Sequence, residues 1–157
     1  MDALFWFNVL SRWIHVTSAA LVVGGLVGVG LVVLPALAGK GDVTYGILTG
    51  VWSRYRTLLH AALGLLLLTG VYNLIVVIPR ARALGDAKSL YHGILGTKIL
   101  LALVLFGVVS ALVSRRATAE GTAAAPRPLP LAVALGLIIL LLSALLRRMW
   151  DLVGVVQ

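Results

Sequence analysis

The chain has no cysteine and few acidic residues. Of its 157 residues none is Cys, two are Met and five are Asp or Glu. The absence of cysteine excludes a disulfide framework, a thiolate metal site and a cysteine nucleophile, and two methionines argue against a methionine-lined copper path. The acidic residues all lie outside the long apolar runs: Asp2, Asp42, Asp86, Glu120 and Asp151. A basic side chain within such a run therefore has no acidic neighbour there.

Apolar sequence dominates what is present. Hydrophobic residues make up 61% of the chain and charged residues 11%, and the mean hydropathy is +1.10. About 20 apolar residues form a helix long enough to cross a hydrocarbon core of ~30 Å. Four such runs occur, at about residues 4–34, 53–78, 89–114 and 129–148. We therefore predict an all-α fold, an integral membrane four-helix bundle, with both termini on the same side and a single transmembrane domain over residues 1–157.

Proline and glycine set the predicted helix boundaries. Pro35 and Pro79 are expected to end the first and second helices, because proline cannot continue a helix without losing a hydrogen bond. Residues 35–52 contain four glycines and are predicted to be a loop, as are residues 79–88, while residues 115–128 form a polar linker. Three prolines suit the start of the fourth helix: Pro126, Pro128 and Pro130.

The net charge of +8 comes from basic residues that stand singly or in pairs near helix ends. Anionic lipid headgroups attract basic residues placed in this way, so we expect a lipid bilayer as the partner and no nucleic acid. Six Lys or Arg residues fall on each side of the predicted bundle, so the charge bias that sets orientation does not choose between the two sides. The predicted location is the inner membrane of a prokaryotic cell.

One ionisable residue, Lys98, lies inside the third apolar run, between Leu90 and Ser114. An ionisable side chain at membrane depth costs several kcal/mol unless it is paired, so it is a functional candidate. Its stem can instead snorkel toward the surface. Otherwise Lys98 needs an external anion, such as a porphyrin propionate or a lipid headgroup, or acts as a neutral base or ligand.

The three histidines are the candidate metal ligands, because neutral imidazole is the commonest metal ligand in proteins. His15 and His92 lie toward one side of the membrane with Lys98, whereas His60 lies ~15–20 Å away along the axis. Two axial ligands of one iron must approach within ~4 Å. His15 can therefore share a metal ion with His92 or with Lys98, and His60 would belong to a second site. The alternative for each histidine is a structural or interfacial role.

Three short motifs carry a resemblance to known families. They are Arg12-Trp13-Ile14-His15 in the first helix, Leu65 to Asn73 (LLLLTGVYN) in the second, and Thr97-Lys98-Ile99-Leu100-Leu101 in the third. The pattern resembles the HemJ-type protoporphyrinogen oxidases, membrane proteins that bind haem b. The functional His, Arg and Lys of that family would map to His15, Arg56 and Lys98. The chain is equally similar to the membrane domain of CopD copper-resistance proteins.

The resemblance implies a haem-b-binding membrane protein in electron transfer or oxidoreduction. His15 would be an axial ligand, His92 or Lys98 would lie near or on the other axial position, and Arg56 would hold a propionate or substrate carboxylate. Tyr72 and Asn73 are polar candidates beside a haem edge or quinone. The alternatives are copper transport or binding with the histidines as ligands, and a non-catalytic subunit of a larger complex. Candidate partners are a quinone or porphyrin, other membrane proteins and a second copy.

Overall fold

The computed structural model describes residues 2–37, 41–116 and 128–152, and these residues contain helices and no strand. Four of the helical segments are long and apolar enough to cross a membrane: Ala3–Ala36, Ser53–Arg80, Leu84–Leu112 and Leu129–Asp151. The predicted all-α fold with four membrane-spanning helices is therefore confirmed. In chain order the elements are α1 (Ala3–Gly28), a π-helical turn (Val29–Val33), α2 (Leu34–Leu37), α3 (Gly41–Arg80), a 3₁₀ segment (Ala81–Ala87), α4 (Lys88–Arg116) and α5 (Leu129–Leu152).

The first span continues past Pro35, where the sequence predicted its end. A π-helical turn, Val29–Val33, precedes the proline, and the N–H of Leu34 bonds to the carbonyl of Val29, five residues back. A proline ring clashes with the carbonyl four residues before it in a regular α-helix. The wider π-helical turn lies directly before the proline, and the chain stays helical to Leu37.

The second helix is longer than predicted at both ends. It begins at Gly41, inside the glycine-rich stretch 35–52 that was predicted as a loop, and it ends at Arg80, with Pro79 in its last turn. Extending an existing helix adds one hydrogen bond per residue without a new nucleation cost. This gain offsets the unfavourable helix propensity of glycine, which is about 1 kcal/mol per residue. The predicted loop 79–88 is mostly 3₁₀ helix, with a kink at Gly85 (φ 54°).

The fourth helix begins at Leu129, as predicted, and extends to Leu152. Its first turn is closed by a hydrogen bond of 3.0 Å from the Ala132 N–H to the Pro128 carbonyl. Most of the predicted linker 115–128 lies outside the described residues.

The spans form two closely packed pairs, α1 with α3 and α4 with α5. The pairs meet mainly where α1 contacts α5, whereas direct contact between α3 and α4 is sparse. Val23 approaches Gly136 and Leu129 approaches Gly30, so α1 and α5 run antiparallel. The bundle is therefore least tightly closed on the side between α3 and α4.

Two separate apolar clusters hold the bundle together. At the end where α5 begins, the Leu129 end, buried residues from all four spans pack together, including Val22, Leu26, Leu59, Ala62, Val109 and Leu129. At the end where α3 finishes, the Arg80 end, a smaller cluster contains Ala81, Leu84, Tyr91, Leu146 and Met149. Large apolar side chains such as Leu68 and Leu141 are about 70% exposed (70% and 69%), which suits contact with lipid. His15, Ser18 and Lys98 lie at levels between these two clusters.

Gly25 is a position of close helix contact, and it yields a stability prediction. A Cβ added there would overlap the ring of Tyr55, whereas one added at Gly24 would meet nothing within 4 Å. We expect Gly25→Ala to destabilise the bundle by about 1–3 kcal/mol through overpacking. The measurement is the thermal midpoint of the detergent-solubilised protein. The matched control, Gly24→Ala, should leave this midpoint unchanged or raise it, and equal effects of both variants would contradict the described packing.

Candidate functional site

Polar residues follow one face of α1 at helical spacing. Asn8, Ser11, His15 and Ser18 recur at intervals of three or four residues, which places them on the same side of the helix. Three of them form hydrogen bonds to α3. This face therefore lies against α3, and we call it the α1 polar stripe.

His15 forms a hydrogen bond to a neighbouring span. Its Nδ1 lies 2.9 Å from Oγ1 of Thr69, and the Thr69 hydroxyl donates to the carbonyl of Leu65 at 2.6 Å. Because that bond uses the one hydroxyl hydrogen, Oγ1 accepts from the Nδ1–H of a neutral His15. The lone pair available for a ligand or a proton is therefore on Nε2.

A glycine on α3 lies beside the His15 ring. A Cβ added at Gly70 would be 3.4 Å from Cε1 and 3.9 Å from Nδ1 of His15. The α3 backbone therefore forms a wall without side chains along this edge of the imidazole.

Lys98 lies on the core-facing side of α4. Ile94, Lys98, Leu101 and Leu105 are spaced three or four residues apart and so share one face of α4. Leu105 on this face is buried in the Leu129-end cluster. The Lys98 side chain is half-buried. Lys98 therefore occupies a position at which an apolar residue would ordinarily pack.

No carboxylate neutralises Lys98 among the described residues. The ion pair found in that part of the chain joins Arg148 to Asp151 at 3.9 Å on α5, and Lys98 has no hydrogen bond to a described side chain or carbonyl. An ammonium group placed among apolar spans is costly without a partner. The position of Lys98 therefore favours binding of an anionic group that does not belong to the described residues.

Ser18 is a buried polar group without a hydrogen-bond partner among the described residues. It is 3% exposed, lies one turn beyond His15 on the α1 polar stripe, and makes no hydrogen bond to other described residues. Buried hydroxyl groups in proteins are nearly always hydrogen-bonded to protein or water. The Ser18 hydroxyl therefore needs a partner such as water or a bound polar group.

The other predicted ligands are not brought to His15. His60 is exposed and its Nδ1 donates to the carbonyl of Arg56, in its own helix, at 2.8 Å. His92 bonds in the same way to the carbonyl of Lys88 at 2.7 Å. It lies six residues before Lys98, which is ~9 Å along α4 and about a third of a turn away around the helix. An iron ion shared by His15 and His92 stays a prediction. In this conformation the two side chains are not brought together.

Arg56 is also distant from the His15 site. Its side chain is exposed, and it lies 13 residues before Thr69 on α3, or ~20 Å along the helix. His60 lies nine residues before Thr69, or ~14 Å. Arg56 and His60 therefore both lie toward the Leu129 end. The separation predicted from the sequence between His15 and His60 was ~15–20 Å.

Sequence reasoning missed several members of the site. Thr69 lies within a motif that was used for the resemblance, but it was not identified as the partner of His15. Ser11 and Ser18 were not identified as members of the site. The recurrence of polar residues at positions 8, 11, 15 and 18 was the available signal, because it is the spacing of a helix face.

Comparison with known proteins gives no match: no family model, no curated protein and no solved structure matches the chain. The resemblance to HemJ-type and CopD proteins therefore stays a prediction. Within the described ranges, no group of three or more His, Cys, Asp or Glu side chains lies close enough together to hold a metal ion. A metal at this site would need ligands other than a cluster of such side chains.

The Lys98 ammonium, which has no carboxylate partner in the described part of the chain, yields a second stability prediction. We expect Lys98→Met to raise the free energy of unfolding by about 1–3 kcal/mol in protein prepared without an added ligand, because the apolar side chain removes the cost of a charge among apolar spans. Thermal unfolding in detergent measures the change. Lys88→Met, at the exposed start of α4, is the control and should have little effect. A lower melting temperature for Lys98→Met would mean that a protein group already stabilises the ammonium.

Proposed function

We propose that the chain is a haem-b-binding integral membrane protein that acts in electron transfer or oxidoreduction. The observation that carries this proposal is the His15 site. Its Nδ1–H is held by Thr69, which leaves Nε2 as the free ligand atom, and Lys98 is half-buried on the core-facing side of α4 without a carboxylate partner among the described residues. Histidine ligands of metals characteristically have their second ring nitrogen fixed in this way.

The number of ligands favours haem over a bare copper ion. Copper sites in proteins typically use several side chains, such as two His and one Cys. In haem b the porphyrin supplies the equatorial ligands, so one histidine can be enough to hold the iron. His15 provides that one imidazole, and no cluster of three or more His, Cys, Asp or Glu side chains accompanies it in the described residues.

Lys98 supplies the charge complement of the site. The propionate groups of haem are anions, and an ammonium group that lacks a carboxylate partner would be stabilised by one of them. We therefore assign Lys98 to the propionate and His15 to the iron. When bound, haem b would contribute one-electron transfer, while the residues of the chain bind it, orient it and surround it with apolar side chains.

The helix arrangement supports a flat ligand. Four-helix bundles hold cofactors with side chains of facing helices. Here the α1–α3 pair carries His15 and Gly70, the α4–α5 pair carries Lys98, and contact between α3 and α4 is sparse. A planar group would lie between the two pairs, entering from that side.

The remaining expectations form part of the same proposal. Both termini would face the same side of a prokaryotic inner membrane. Arg56 and His60 would act at the Leu129 end, as headgroup anchors or in a second site, and His92 would serve as the second axial ligand only after a rearrangement of α4. A copper protein and a non-catalytic subunit are outcomes that the experiments below would reveal.

Absorption spectroscopy tests the proposal directly. Protein expressed with added haem is expected to show a Soret band that His15→Ala abolishes and that His60→Ala leaves unchanged. Lys98→Arg should keep the band, because guanidinium binds carboxylates but is not an iron ligand, whereas Lys98→Met should weaken haem binding about tenfold or more. Absence of a Soret band in the unaltered protein would refute the proposal, and metal analysis of the same sample would show whether copper is bound instead.

Thr69 provides a finer test of how His15 is oriented. Thr69→Val removes the acceptor for the Nδ1–H, so we expect haem affinity to fall about 10–100-fold, as is usual when the partner of a metal-ligating histidine is lost. Thr69→Ser keeps the hydroxyl and should retain most of the affinity. Titration of haem into the haem-free variants measures the difference. Equal affinities of the Val and Ser variants would contradict the role of Thr69.

A further inference from the structure

Three polar contacts connect α1 and α3 in successive turns. The Tyr72 hydroxyl donates to Oδ1 of Asn8 at 2.8 Å, and the Ser11 hydroxyl donates to Oδ1 of Asn73 at 3.3 Å. The third contact is the bond of 2.9 Å between His15 and Thr69. We call this series, together with the buried Ser18 one turn beyond His15, the polar seam.

The polar seam has one open end and one closed end. Its outer contact, Asn8 with Tyr72, lies near the Arg80 end, five residues into α1, or ~8 Å from its start. The neighbouring aromatic residues Trp6 and Trp13 are exposed, at 59% and 63%, as is typical of the membrane–water interface. The seam therefore begins at the level where water is available.

At the inner end the seam stops at the Leu129-end cluster. The α1 polar stripe ends at Ser18, and the next residues on that face are Val22 and Leu26, both 1% exposed. On α3 the matching residues Leu59 and Ala62 are 1% and 3% exposed. An apolar layer thus separates the seam from the opposite side of the bundle.

The seam retains hydrogen-bonding capacity that its protein contacts do not use. Ser18 has no partner among the described residues, and Asn8 and Asn73 use only their side-chain oxygens in the bonds above. Ser18 is buried, and a buried hydroxyl without a protein partner is ordinarily satisfied by ordered water. A purely structural seam would need no such spare groups, since polar contacts between spans act as adhesive when their groups bond each other.

We propose that the polar seam is a one-sided access path along which water reaches the level of His15 and Lys98 from the Arg80 end. Water would enter from that side of the membrane and not through the Leu129-end cluster. The path rests on the proposed function for what it serves. The seam shares His15 and Thr69 with the haem assignment, whereas its other four contact residues, Asn8, Ser11, Tyr72 and Asn73, lie outside that assignment.

The absence of cysteine from the chain makes accessibility directly measurable. Single-cysteine variants are placed along α1, Ser11→Cys and Ser18→Cys within the seam and Val22→Cys beyond it. Asp86→Cys and Arg54→Cys identify the Arg80 and Leu129 sides, since both residues are exposed. A small, charged, membrane-impermeant thiosulfonate is applied to sealed vesicles from one side at a time.

Ser11→Cys and Ser18→Cys are expected to react from the side that labels Asp86→Cys, and at least about tenfold faster than Val22→Cys, because the reagent attacks a thiolate that forms only in contact with water. On α3, Asn73→Cys should react in the same way and Ala62→Cys should not, which covers any α1 variant that fails to fold. Labelling as slow as that of Val22→Cys, or labelling from the Arg54 side, would overturn the inference.

The two proposals fail separately in these experiments. Thiol labelling does not depend on haem, so a protein without a Soret band but with a reactive seam would refute the proposed function alone. A haem-containing protein with an unreactive seam would refute the access path alone.

Discussion

The hydrogen bond between His15 and Thr69 is the interaction on which the candidate site depends. It joins α1 to α3, selects Nε2 as the free nitrogen of a neutral His15, and fixes the ring beside Gly70. His60 and His92 bond to carbonyls of their own helices, so their rings are not directed by another span. His15 therefore differs from His60 and His92 in being bonded to another span.

The bundle places its polar groups where they conflict least with stability. Two apolar clusters supply contact at the ends, and the residues that need partners lie between them. A lysine at a core-facing position and a buried serine both cost free energy without a partner. Stability is commonly lowered at functional sites in this way. For this reason we assign the candidate site to the layer between the two clusters and not to the clusters themselves.

Several helix features were predictable and others were not. Long apolar runs located all four spans, since few other sequences satisfy the length and polarity limits of a bilayer. The continuation of the first helix past Pro35 was not predictable from proline alone, because it occurs together with a π-helical turn directly before the proline. The helix that begins at Gly41 shows the same limit, since glycine lowers helix propensity without forbidding the conformation.

By itself the sequence determined the class of the protein and the candidates for its site. Hydropathy required membrane-spanning helices, and the absence of acidic residues from the four predicted apolar runs left Lys98 without an obvious partner there. Only the tertiary structure decided which candidates meet, because the pairing and rotation of helices depend on contacts between residues far apart in the chain. It joined His15 to Thr69, and it left His60 and Arg56 exposed toward the Leu129 end.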